Sequence, residues 1–122
     1  MTRVAIPSIS FCQTGILRKE VLAKYRDTRF NEEQRRMTDD ELVEFLSDRD
    51  AAIMGLENLT ADMLDRLPDL KIIARMGVGL DNVDPALLRD RGIRIGWKGG
   101  TNRQSVAELM IAFSVCALRH VG

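Results

Sequence analysis

The sequence predicts an α/β domain: a doubly wound, parallel five-stranded sheet with helices on both faces. Three observations carry this. Short apolar runs alternate with segments of helical periodicity along the whole chain. Helix start and stop signals fall between those runs. The 122 residues suit one domain with a core large enough to hold without staples. An alternating βα order calls for parallel strands and crossover helices.

Taken in order, Arg3 to Ile9 reads as a first strand, followed by a helix from about Gly15 to Tyr25 with Ile16, Leu17, Val21 and Leu22 at helical spacing. Asp27 to Phe30 reads as an edge strand. Thr38-Asp39-Asp40-Glu41 is a capping box opening a helix whose Leu42, Val43, Phe45 and Leu46 face inward. Ala51 to Met54 is a buried strand ending at Gly55, and Thr60 caps a brief helix that runs through Leu67 and stops at Pro68. Leu70 to Arg75 is the clearest strand. Asp84-Pro85 starts the next helix and Gly92 stops it. Ile93 to Trp97 is the fifth strand, and Ser105-Val106-Ala107-Glu108 reads as a second capping box, opening a last helix that reaches about His120.

Composition narrows the function classes. Hydrophobic residues make up 45% and charged residues 30%, which excludes a disordered chain. Lys plus Arg and Asp plus Glu each number 18, so no basic excess points to nucleic acid. The two cysteines, Cys12 and Cys116, have neither metal-ligand spacing nor the number for a disulfide framework, so a reducing, cytoplasmic setting is expected. No signal-peptide pattern opens the chain, and no apolar run has the length to cross a bilayer.

The last helix is unusual. From Val106 to Leu118 only Glu108 and Ser114 interrupt an apolar sequence that runs right round it. A helix on the surface of such a sheet should have a polar outer face. Its outer side is therefore expected to pack on a further domain or a partner chain.

Ligands of doubly wound sheets bind beyond the carboxyl ends of the strands. That singles out the loops Ser8–Thr14, Gly55–Thr60, Met76–Val83 and Lys98–Gln104. Gly77-Val78-Gly79-Leu80-Asp81-Asn82 lacks the third glycine of a dinucleotide fingerprint, and the following helix starts too late to receive a pyrophosphate. As an anion cradle it is better, because two glycines let backbone N–H groups approach a carboxylate or phosphate closely; a plain strand-exit turn is the alternative. Lys98-Gly99-Gly100-Thr101-Asn102-Arg103 is a second donor-rich loop at the same edge, or simply a solvated turn. A phosphoacceptor receiver domain would need acidic residues where Pro7-Ser8-Ile9 and Gly55-Leu56 stand. A flavin mononucleotide protein would need a better phosphate loop than Phe11-Cys12-Gln13-Thr14-Gly15, although Trp97 would serve as one wall. His120, the only histidine, suits a helix C-terminus more than catalysis. Cys12 reads as a small hydrophobe. No metal cluster or carboxylate pair is present.

Leu70-Lys71-Ile72-Ile73-Ala74-Arg75-Met76-Gly77-Val78-Gly79-Leu80-Asp81-Asn82-Val83-Asp84 resembles the signature of the D-isomer-specific 2-hydroxyacid dehydrogenases, the family that includes phosphoglycerate dehydrogenase. Arg91-Gly92-Ile93 and Asn102-Arg103-Gln104-Ser105-Val106-Ala107-Glu108-Leu109 match it at the family's spacing. The resemblance is specific from about Leu59 to Leu118 and architectural before that. It implies a flavodoxin-like substrate-binding domain over residues 1–103. Residues 104–122 would form the helix that leads to a separate NAD-binding Rossmann domain and lies at a dimer interface. It further implies that backbone groups of Val78 and Gly79 hold the substrate carboxylate with Arg75 near it. Val78 would also lie against the nicotinamide end of the cofactor, and Asn102 would hydrogen-bond the substrate.

Trp97-Lys98-Gly99 stands where most members have Asn-Thr-Pro, which leaves the 2-hydroxy acid open and suggests that Lys98 pairs with an extra anionic group. The family's G-x-G-x-x-G domain and its catalytic Arg, Glu and His have no counterpart here, so no catalytic residue is assigned and this chain alone is expected not to turn over substrate. The expectation is thus the substrate-binding half of an NAD-dependent enzyme acting on a small 2-hydroxy or 2-oxo acid, a homodimer with no nucleic-acid or membrane partner. The alternative is a stand-alone dimeric, flavodoxin-like small-anion-binding module without catalysis.

Overall fold

The first connection of the chain crosses the sheet in one direction and the next three cross it in the other. The computed structural model describes residues 1–121. Its elements are β1 (Val4–Ile6), α1 (Ile9–Cys12), α2 (Gly15–Lys24), β2 (Thr28–Phe30), α3 (Asp39–Leu46), β3 (Ala51–Met54), α4 (Ala61–Asp65), β4 (Ile72–Arg75), α5 (Pro85–Asp90), β5 (Arg94–Gly96) and α6 (Arg103–Arg119). The strands form one sheet in the order β2-β1-β3-β4-β5. Every pair is parallel, with Val4 opposite Thr28 and Ala51, Ala51 opposite Ile72, and Ile72 opposite Arg94.

Right-handed crossovers then place the helices between β1 and β2 on one face and those of the later connections on the other. The core divides accordingly, because alternate residues of a strand face opposite sides. Ala5, Ala52, Met54 and Ile73 pack with Leu42, Val43 and Leu46 of α3, Met63 and Leu64 of α4 and Leu88 of α5. Val4, Ile6 and Phe30 pack on the other face with Phe11 and Cys12 of α1 and with half-buried Leu17 and Val21 of α2. The flavodoxin-like arrangement expected from the sequence is therefore the one observed.

Several local expectations hold in atomic detail. Thr38 and Glu41 close both arms of the first capping box. Thr60 accepts from the Met63 N–H. Asp84 accepts from the Ala86 N–H, with proline at the first helical position of α5. Buried Arg49 binds Asp27 at 2.6 Å and Asp48 at 3.1 Å, tying the end of α3 to the approach to β2. Arg3 donates to both oxygens of Asp50 and anchors β1 beside β3.

Two expectations are corrected. The first apolar run is strand only to Ile6. Beyond Pro7 the Ser8 hydroxyl accepts from the Phe11 N–H and starts the one-turn helix α1. The second capping box does not form. Helix α6 begins at Arg103, so Ser105 lies inside its first turn, and Glu108 accepts from the Gln104 side chain at 3.0 Å instead. Helix α6 buries no residue; Met110, Ile111, Phe113 and Leu118 are each more than 60% exposed. No helix of the described residues is long and apolar enough to cross a membrane.

Candidate functional site

The carboxyl ends of β3 and β4 are joined by a compact set of side-chain-to-backbone bonds centred on Gly55. This residue must be glycine, since a Cβ there would stand 2.7 Å from the buried Ser8 hydroxyl. Its N–H donates to the Glu57 carboxylate. Its carbonyl accepts from Arg75 Nη1 and, at 3.1 Å, from Asn82 Nδ2. Asn82 also donates to the Glu57 carbonyl at 2.6 Å.

Arg75, the last residue of β4, folds back over its own loop. Its Nη1 donates to the Met76 carbonyl at 2.6 Å and its Nε to the Gly79 carbonyl at 3.1 Å. Gly77 makes this possible. Its φ of 137° lies where side chains are disfavoured, and a Cβ would stand 3.1 Å from Arg75 Nη1. The Val78 carbonyl accepts from Trp97 Nε1 at 3.2 Å.

These bonds sort the loop's polar groups. The carbonyls of Met76, Val78 and Gly79 are all engaged, whereas the N–H groups of Gly77, Val78 and Gly79 donate to no acceptor among the described residues. All peptides of the described chain are trans, and in a trans peptide the N–H points opposite to its C=O. The N–H groups of Gly77 and Gly79 are therefore turned away from Arg75 and Trp97, toward solvent. Arg75 meets carbonyls alone, forms no ion pair among the described residues and stands on the opposite side of the loop from these donors. The opposing charge is Asp81, whose Oδ2 would lie 3.2 Å from a Cβ on Gly79. Free N–H groups on a loop braced from behind by a guanidinium suit a small carboxylate or phosphate.

The structure thus brings Arg75, Val78 and Gly79 together. Lys98 and Asn102 are exposed, and no hydrogen bond joins either to those three; Asn102 is the N-cap of α6 with its side-chain amide unused for capping. Asn82, Glu57 and Trp97 were not singled out by the sequence as parts of this assembly. Asn82 was visible only as a member of the glycine-rich run, and its bonding to residues 25 and 27 positions earlier has no local signature.

A cavity of about 170 Å³ lies between the loops after β1 and β3, where the sheet order reverses, lined by Pro7, Ser8, Ser10, Arg36, Leu56 and Asn58 among others. Its rim carries Asp39 and Glu57 beside the arginines, and no buried side-chain polar atom among the described residues lacks a partner. It specifies no ligand charge. Cys12 is buried with its Sγ 3.3 Å from the Ile6 carbonyl, and burial pushes its thiol up, away from nucleophilic use.

The Gly77–Gly79 loop does not fit a dinucleotide. Helix α5 begins only at Pro85 and no helix N-terminus stands over the loop to receive a pyrophosphate.

Residues 9–117 match the family model described as the D-isomer specific 2-hydroxyacid dehydrogenase catalytic domain. The chain is 35% identical over 83 residues to the hydroxypyruvate reductase of Thermotoga maritima, covering 67% of this chain and 27% of that one. It is 31% identical over 86 residues to the D-3-phosphoglycerate dehydrogenase of Methanocaldococcus jannaschii, covering 70% and 16% respectively. Among solved structures, the NAD+-bound 3-phosphoglycerate dehydrogenase of Entamoeba histolytica superposes with a TM-score of 0.70 at 22% identity, over 98% of this chain and 40% of that one. The chain therefore spans less than half the length of each of these proteins.

Proposed function

Because the chain belongs to the D-isomer specific 2-hydroxyacid dehydrogenases, we propose that it is the substrate-binding domain of an NAD-dependent member acting on a small 2-hydroxy or 2-oxo acid. The observation that carries this reading is the row of unengaged N–H groups at Gly77, Val78 and Gly79, with Arg75 bracing the loop from behind. In this reading the N–H groups hold the substrate carboxylate, and Asn102 and Lys98 approach from the neighbouring loop. The work of these residues is orientation, which lowers the barrier by fixing the substrate in a reactive pose. A nicotinamide cofactor bound by the rest of the enzyme would supply hydride chemistry at the substrate C2, and Val78 is the residue of this chain that would line its reactive end. The names of the relatives above, a hydroxypyruvate reductase and a D-3-phosphoglycerate dehydrogenase, support this substrate class.

Exposed α6 supports the further proposal that residues 104–122 lie against the cofactor domain and a second subunit, as a homodimer. A burial deficit of this size on one helix is characteristic of an interface. Both cysteines are unpaired, in keeping with a cytoplasmic setting.

The test is an amide-resolved NMR titration of the chain with D-glycerate, using glycerol as the uncharged control. Saturable shifts at Gly77, Val78 and Gly79 with D-glycerate alone are expected. Unchanged resonances there at high millimolar D-glycerate would sink the reading.

A further inference from the structure

The loop between β4 and α5 and the segment after β5 are joined by a single hydrogen bond among the described residues, from Trp97 Nε1 to the Val78 carbonyl. Trp97 is the chain's only tryptophan. Its ring is seated against Gly99, where a Cβ would stand 2.7 Å from the indole Cη2. A larger residue at 99 would displace the ring, so the indole and the Gly99 backbone form one surface.

The division of labour in the loop gives that bond its importance. Arg75 holds the Met76–Gly77 peptide through the Met76 carbonyl and the Gly79–Leu80 peptide through the Gly79 carbonyl. The Val78–Gly79 peptide between them has no partner among the described residues except Trp97. Its C-terminal residue is glycine, which gives little resistance to rotation of that peptide plane. Without the indole N–H, nothing in the described chain fixes which way the Gly79 N–H points.

We propose that Trp97 is a positioning residue for the substrate. By holding the Val78 carbonyl it turns the Gly79 N–H outward to the substrate carboxylate, and it keeps the loop bearing Lys98 and Asn102 in register with that peptide. The proposal rests on the reading of the Gly77–Gly79 loop as the carboxylate site. It assigns to this chain a fixing group that depends on a side-chain N–H.

The experiment compares the wild-type chain with Trp97→Phe, which keeps an aromatic ring and removes the donor, and Gly99→Ala, which keeps the donor and displaces the ring. Three readouts are taken: the ligand-free Gly79 amide resonance, the D-glycerate affinity at that amide, and the thermal unfolding midpoint. In Trp97→Phe the ligand-free Gly79 amide moves and D-glycerate binds about fivefold more weakly, the loss of one hydrogen bond. The amides of Ile73 and Leu88 and the unfolding midpoint stay in place. Gly99→Ala changes the Gly79 amide and the affinity in the same direction, and decides the matter if Trp97→Phe does not fold. Wild-type affinity together with an unmoved Gly79 amide in either folded variant overturns the proposal. A wild-type Gly79 amide that ignores D-glycerate, yet moves in the ligand-free variants, instead removes the functional reading and leaves Trp97 fixing a peptide that serves no carboxylate.

Discussion

The side-chain amide of Asn82 bridges two strand exits: its Nδ2 lies 2.6 Å from the Glu57 carbonyl and 3.1 Å from the Gly55 carbonyl. The Gly55 carbonyl also accepts from Arg75 Nη1, whereas the Glu57 carbonyl has no other donor among the described residues. Asn82→Ala is expected to destabilise the fold by about 1–3 kcal/mol, the range for stranding one partly buried acceptor, the Glu57 carbonyl. Urea unfolding checks it, and a change below about 0.5 kcal/mol would mean that water replaces the amide.

Arg75→Lys keeps the charge and loses the planar fork that reaches the Gly55, Met76 and Gly79 carbonyls together. We expect the D-glycerate affinity of the lysine variant to fall at least about fivefold, which corresponds to one lost hydrogen bond. Equal affinity in an isothermal titration would show that charge alone, without the bracing, suffices.

Gly77 and Gly92 separate backbone strain from crowding. Both have positive φ, 137° and 67°, but only Gly77 has a neighbour within reach of a Cβ, Arg75 Nη1 at 3.1 Å. Gly92→Ala should cost about 1 kcal/mol, and Gly77→Ala up to about 3 kcal/mol. Only the second should abolish D-glycerate binding. Matched losses of binding in both variants would contradict the local role of Gly77.

The hydrogen bonds from the Arg3 guanidinium, then from its backbone N–H, hold the Asp50 carboxyl well below the usual carboxylate range. A depressed folded-state pKa adds stability that is present above the unfolded value, about 3.9, and lost as pH falls through the folded one. Asp50→Asn should therefore be less stable than wild type at pH 7, with the gap closing steadily below about pH 4. Far-UV circular dichroism during urea titrations at several pH values follows this; a gap constant down to pH 2 would exclude the ion pair as its source.

Lys98 stands exposed after β5 with no ion pair among the described residues. If it meets a second anionic group, Lys98→Ala should weaken 3-phosphoglycerate by about three- to fivefold while leaving D-glycerate within twofold, as expected for an exposed charge pair of up to about 1 kcal/mol. Parallel losses for both ligands would rule this out.

Much of the scaffold was readable because its signals are local. The Thr38–Glu41 box, the Asp84-Pro85 start and the apolar run Ala51–Met54 ending at Gly55 each fall within a few residues. Helix α1 escaped because one turn from Ile9 to Cys12 is too short to show a period. The Ser105–Glu108 box misled because the same spacing is equally compatible with a helix interior, and Arg103 and Gln104 are good enough helix formers to extend α6 past it. The site divides similarly. Val78 and Gly79 were legible from glycine spacing, and Arg75 from its place at the strand end. What Arg75 does there was not legible, because Gly55 lies 20 positions away and only the fold makes them neighbours.

The Gly55 peptide, gripped through its N–H by Glu57 and through its carbonyl by Arg75 and Asn82, belongs to the sheet's central strand exit. A ligand meeting the Gly77–Gly79 loop therefore meets a surface already ordered when the chain folded. Little conformational entropy remains to be lost there on binding, so affinity should depend weakly on temperature-driven loop ordering and chiefly on how well the anion fits.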